Sequence, residues 1–178
     1  MASPSTYNQA TVTAEIRAAS GGSTIDLGSR GAGTVDIAAL HASQPNSRLR
    51  ANAAGFISGA GADSSHTIVS AVTAAVRDNV DLQGRLIDIG ADNVVNKPEL
   101  GGDGLNLSGS AKSLVSGTGA DSNTLLTLNT IVDIDDADIT VLGNPGTEPV
   151  LLLHAKNQID AVERVAFEAA GAAGRVAA

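Results

Sequence analysis

The chain has 178 residues, 43% of them hydrophobic but only 2% aromatic, with a net charge of −8 and no cysteine. That length supports one domain with a sizeable core, built of Ala, Val, Ile and Leu rather than of large rings. The 11 Lys and Arg are scattered singly, which excludes a basic nucleic-acid face, and the lack of Cys excludes disulfides, zinc–thiolate sites and cysteine nucleophiles.

The opening "MASPSTYNQA" has neither the basic start nor the apolar run of a signal peptide. Residues 1–10 are expected to be a flexible or appended segment, leading a piece of a longer protein, with 11–178 forming one β domain. From residue 11 a period of two dominates, the period of strands that bury one face. "TVTAEIRA" sets Val12, Ala14 and Ile16 on one face and Thr11, Thr13, Glu15 and Arg17 on the other. "STIDLGS" pairs Ile25 with Leu27, and "TVDIAAL" pairs Val35 with Ile37. "RLRANAAGFIS", "TIVSAVTAAV", "NVDLQGRLIDIG", "TLLTLNTIVDI", "ADITVLG" and "EPVLLLHA" continue the pattern. Between them stand turn signals such as "GSRGAG", "GAGADSS", "VNKPELGGDG", "GTGADSN" and "GNPGTEP". In the tail, Ile159, Val162 and Val165 sit at helical spacing while Val165 and Phe167 alternate, so 158–178 is expected to be a terminal coil or a capping helix.

One string occurs twice. "FISGAGADS" (Phe56 to Ser64) returns 58 residues later as "LVSGTGADS" (Leu114 to Ser122), identical at six of nine positions. Downstream, Asp78-Asn79-Val80-Asp81-Leu82 matches Asp135-Asp136-Ala137-Asp138-Ile139 at a shift of 57, so one residue is deleted between the copies. "RLIDIGADN" then corresponds to "VLLLHAKNQ" after an inserted "GNPGTEP". An ordered echo of strands predicts an all-β stack of parallel coils, whose edges pair with the coils above and below. A 58-residue unit divides into three coils of about 19 or two of about 29, and coils of about 20 residues predict seven or eight of them. The echoed strings are expected at coil corners, where Gly permits positive φ and Asp63 and Asp121 bond to backbone N–H groups of their own turns.

Candidate chemistry is sparse. The G-x-G of the echoed string lacks the third glycine of a dinucleotide loop, and strands follow it. It retains G-x-G-x-D of the calcium nonapeptide, but the two copies are not in tandem. Calcium at Asp63, Asp121, Asp133 and Asp135, with Asp78 and Asp81 one repeat away, is therefore the minor reading. In "VDIDDADI", Asp133 and Asp135 share one strand face as a carboxylate pair and, with Asp136, form an acidic cluster for general acid–base work on a polysaccharide; the plain alternative is a solvated strand face. His41, His66 and His154 are expected in separate surroundings. "TVT" raises ice binding, and "NLS" at Asn106 fits a glycosylation sequon, each on one short motif.

The phrases "STIDLGSRGAGTVDIAAL", "AAVRDNVDLQGRLIDIGADN" and "LLLHAKNQIDAVERVAFEAAG" resemble the β-helical shafts of bacterial filamentous-haemagglutinin-like and leukotoxin-like adhesins. The resemblance implies a right-handed parallel β-helix, secretion to the cell surface and a non-enzymatic role in adhesion. A host or abiotic surface, or a glycan, and the neighbouring coils of a longer parent chain would be the partners, without membrane insertion, and no catalytic, cofactor or metal residues are implied.

Overall fold

The computed structural model describes residues 5–18, 23–26, 33–45, 49–98, 107–143, 146–162, 165–171 and 173–177. Among these residues there is no helix. The strands are β1 (Ser5–Arg17), β2 (Ser23–Asp26), β3 (Thr34–Ser43), β4 (Leu49–Gly84), β5 (Leu86–Lys97), β6 (Leu107–Val141), β7 (Val150–Ala161), β8 (Val165–Ala170) and β9 (Ala173–Ala177). All strand pairings are parallel. One sheet runs β1-β4-β6-β8, with β2 also on β4 and β9 also on β6; the other runs β3-β5-β7.

The pairing defines tiers. β1, β2 and β3 make the first, β4 and β5 the second, β6 and β7 the third, and β8 with β9 begin a fourth. The chain is thus all-β, with long parallel strands stacked in a manner compatible with a β-solenoid. Ser58 lies beside Ser116, Gly59 beside Gly117 and Asp63 beside Asp121, so the two strings are neighbours in one ladder. The 58-residue unit is one tier, not the two or three coils expected, and three tiers plus the start of a fourth replace the seven or eight. The error comes from strand length. β4 runs 36 residues and β6 runs 35, so small polar residues that resemble corner punctuation lie within extended backbone.

The echoed strings are themselves strand, not corners. Among the described residues, positive φ occurs at Asp78 (63°), Asn79 (59°), Asp136 (50°), Gly55 and Gly146, and not at Gly59, Gly61, Gly117 or Gly119. The deleted residue falls where left-handed backbone does occur. Register runs Arg77↔Asp135 and then Val80↔Ala137, so Asp135 lies beside Arg77 and not beside Asp78 as the sequence match has it, and Asp78 and Asn79 in one tier face Asp136 in the next. Asp and Asn tolerate this conformation better than other L-residues, because a short polar side chain bonds locally. Asn79→Val is expected to lower stability by about 1–2 kcal/mol, with Asn79→Gly close to neutral, as read by urea unfolding.

Both ends of the chain depart from simple expectation. Ser5–Ala10, expected to be flexible, pair with Ser65–Ser70 through the backbone, although inward–outward alternation in β1 begins only at Ala10. Over 158–178, β7 ends at Ala161 and β8 and β9 follow as strands, so no capping helix forms among the described residues. β5 extends through Lys97, past the predicted start of the "VNKPELGGDG" loop, most of which lies outside the described residues along with Asn106. The offset between β5 and β7 is 64 residues (Leu86↔Val150), against 57 just upstream, a growth equal to the inserted 143–149. The register is one residue off the expected alignment, in which Arg85 faces Val150.

The core lies between the sheets. Val72, Ala74, Val76, Val80 and Leu82 of β4 meet Ile87, Ile89 and Ala91 of β5 and Val35, Ile37 and Ala39 of β3. Inward phase is even in β4 from Ala60 to Gly84 and odd in β5, because the chain turns at Arg85 between them. The middle tier is saturated, with Ile68, Leu82, Ile87, Ile89, Val72 and Val76 all buried. Each such side chain contributes roughly 1.5–3 kcal/mol. The small aliphatic composition thus reflects an interior only two sheets thick, in which columns of like residues stack between neighbouring strands.

Candidate functional site

A set of ionisable groups lies at the bend that carries the register shift. Glu15, Ala75 and Asp133 occupy one column and Arg17, Arg77 and Asp135 the next. Arg17 Nε is 2.9 Å from Asp78 of the second tier and Arg17 Nη2 2.7 Å from Glu15. The Glu15 hydrogen bond, then the charges of Glu15 and Asp78, push the Arg17 guanidinium further above its ordinary value. Arg77 donates in turn to Asp133 of the third tier. Both arginines therefore reach one tier onward to an acid, and cross-strand pairs of this kind favour one register over its slips. Beyond them, Asn79, Val80, Asp81, Asp136, Ala137 and Asp138 line a depression of about 310 Å³. Asp81 sits beside Asp138 in register, and Gln83 Nε2 donates to Asp81 at 3.3 Å.

The sequence-derived site residues are distributed as follows. Asp133 is taken up by Arg77. Asp135 and Asp136 are exposed, Asp136 at the irregular corner. Asp63 and Asp121 are ladder neighbours in mid-strand, about one strand spacing apart, and distant in sequence from the bend. The expected Asp bonds to the backbone of their own turns do not apply, since no turn is there. Among the described residues no three His, Cys, Asp or Glu are arranged to hold a metal ion. Threonines gather outward only in part: Thr13 pairs with Thr73, but Ile131 continues that column.

The histidines occupy three separate surroundings. His66 is buried, with Nδ1 2.6 Å from Thr6 Oγ1 and Nε2 3.2 Å from Ser64 Oγ. His41 Nδ1 lies 3.0 Å from Asn93 Oδ1, and Asn93 donates its amide to Ser70 across the two sheets. Lys97, also buried, donates to Thr124 Oγ1 at 3.1 Å. A search for apolar positions in the sequence passes over this polar interior. The signal that reveals it is phase: Ser64, His66 and Ser70 share the inward period with Ile68 and Val72.

His154 stands on the outer face of the second sheet. Its Nδ1 is 3.3 Å from Asp88 and its Nε2 3.4 Å from Asp92, two residues to either side of its ladder partner Gly90. A Cβ at Gly90 would overlap the imidazole, so glycine is what lets the ring lie flat between the carboxylates. Gly90→Ala is expected to displace the ring, moving its Cε1–H resonance in a carbon–proton correlation spectrum, at a cost of about 1 kcal/mol or less.

The fold and its charged bend define the class no further than an all-β parallel stack. No family model, curated protein or solved structure matches the chain.

Proposed function

We propose that the chain is a structural β-solenoid segment of a secreted bacterial surface adhesin, wound right-handed and without catalytic activity. The supporting observation is the continuous parallel register of β4 on β6, held across two long strands with a single shift. Such a stack extends by adding tiers, and each tier presents its outward side chains in columns for contact with a host surface, an abiotic surface or a glycan. The right hand follows from the general preference of parallel crossovers. Asp133 is engaged by Arg77, which favours a structural part for the acidic bend over acid–base work on a polysaccharide.

Antibodies raised against the 178-residue chain provide the test. They are expected to label intact source cells and to lose that labelling after shearing of surface appendages. Labelling that requires permeabilised cells would overturn the assignment.

A further inference from the structure

The two ends of the stack differ, and they match each other. At one end β1 and β3 are the outermost strands of their sheets. At the other, β8 and β9 cover β6 only over Leu107–Lys112 and Val115–Gly119, and β7 ends its own sheet. Among the described residues, β6 beyond Gly119 and all of β7 therefore carry no further strand. Their inward side chains are accordingly open: Leu151 and Leu153 are 42% and 49% exposed, whereas Ile87 and Ile89, their ladder partners one tier inward, are fully buried.

We propose that, wherever no further tier of its own parent chain covers it, this open tier takes the first tier of a second copy of the chain, stacked head to tail. The register carries the argument. β1 pairs with β4 from Ser65 to Arg77, and β4 with β6 over Asn123 to Asp135, so β1 of another copy fits the uncovered part of β6. Val12, Ala14 and Ile16 then lie over Thr130, Val132 and Ile134. In the other sheet Val35, Ile37 and Ala39 lie over Leu151, Leu153 and Ala155. The steps interlock as well. The first tier has no described strand equivalent to Leu49–Gly59, and that is the level which β8 and β9 already occupy on the third. Arg17 at one end falls in the column of Asp135 at the other, while Glu15 falls in that of Asp133, whose charge Arg77 already engages. Unpaired parallel edges with open apolar columns are templates for further strands, and a heterologous contact of this kind does not close, so it yields filaments rather than dimers.

The test uses sedimentation velocity and negative-stain electron microscopy of the 178-residue protein across about a hundredfold range of concentration at low ionic strength. The expected result is open-ended, concentration-dependent growth of rods of uniform width. Leu153→Lys places an ammonium in the stacked interior and is expected to abolish growth while leaving the circular dichroism of the free chain unchanged. Arg17→Asp and Asp135→Arg each place like charges in register and should weaken association about tenfold. Mixing these two variants restores opposite charges at every junction and should restore growth, an outcome that damage to either fold would not give. A chain that stays monomeric throughout, growth that Leu153→Lys leaves intact, or discrete dimers indifferent to the charge swaps would each overturn the proposal.

Discussion

Ile89→Ala is expected to destabilise the chain by about 2–4 kcal/mol, while Leu153→Ala, in the same column one tier away, costs under about 1 kcal/mol. Ile37, Ile89 and Leu153 are consecutive ladder neighbours with inward side chains. Ile89 is enclosed on both sides along the stack and by the facing sheet, and truncating it leaves a cavity that flanking strands cannot fill. Leu153 is half exposed, so its methyl groups lose little when removed. Urea unfolding at concentrations too low for copies to associate measures both. Equal costs at the two positions would show that the third tier is covered in solution.

Asn93→Leu is expected to cost about 2–4 kcal/mol although it adds apolar volume to an apolar-rich interior. Asn93 is fully buried, accepts a hydrogen bond from His41 Nδ1 through Oδ1 and donates to Ser70 through its amide. Leucine leaves both partners buried without that bond, and each stranded polar group costs more than the bond itself contributed. Combining Asn93→Leu with Ser70→Ala and His41→Leu should recover much of the loss, since all three polar groups are then gone. A double-mutant cycle on chemical unfolding reads the coupling. If Asn93→Leu alone were neutral, the polar interior would not be contributing to stability.

What was legible in the sequence follows from how parallel stacking works. Neighbouring tiers hold equivalent residues side by side, so "SGAGADS" and "SGTGADS" meet as ladder partners, and the one-residue slip between Arg77 and Val80 shows in the unequal spacing of the two copies. Tier length was not legible, because Gly, Ser and Asp serve both in turns and in narrow stretches of strand. Gly59 and Gly61 are extended, while the true bend is built by Asp78 and Asn79, which sit among strand-like neighbours. The charged ladder was half legible. The run of aspartates is plain in one dimension, but Arg77 lies 56 residues from Asp133 and meets it only through the register. His66, Asn93 and Lys97 elude an apolar search because their burial depends on partners contributed by other strands.

The length of a tier also sets how such a body yields to tension. With β1 at one end of the stack and β8 and β9 at the other, a pull along the stacking direction lifts the outermost strand away and loads its backbone bonds one after another rather than together. One 58-residue tier, once peeled, releases about 200 Å of extended chain. Loss of a single layer therefore lengthens the chain by many times the roughly 5 Å that the layer occupied in the stack. The molecule behaves as a store of slack, let out in large and countable steps while the layers behind remain folded. Optical-trap extension of the chain is expected to show this as discrete length jumps at low force, the middle tier of β4 and β5 holding longest because it is bonded on both sides.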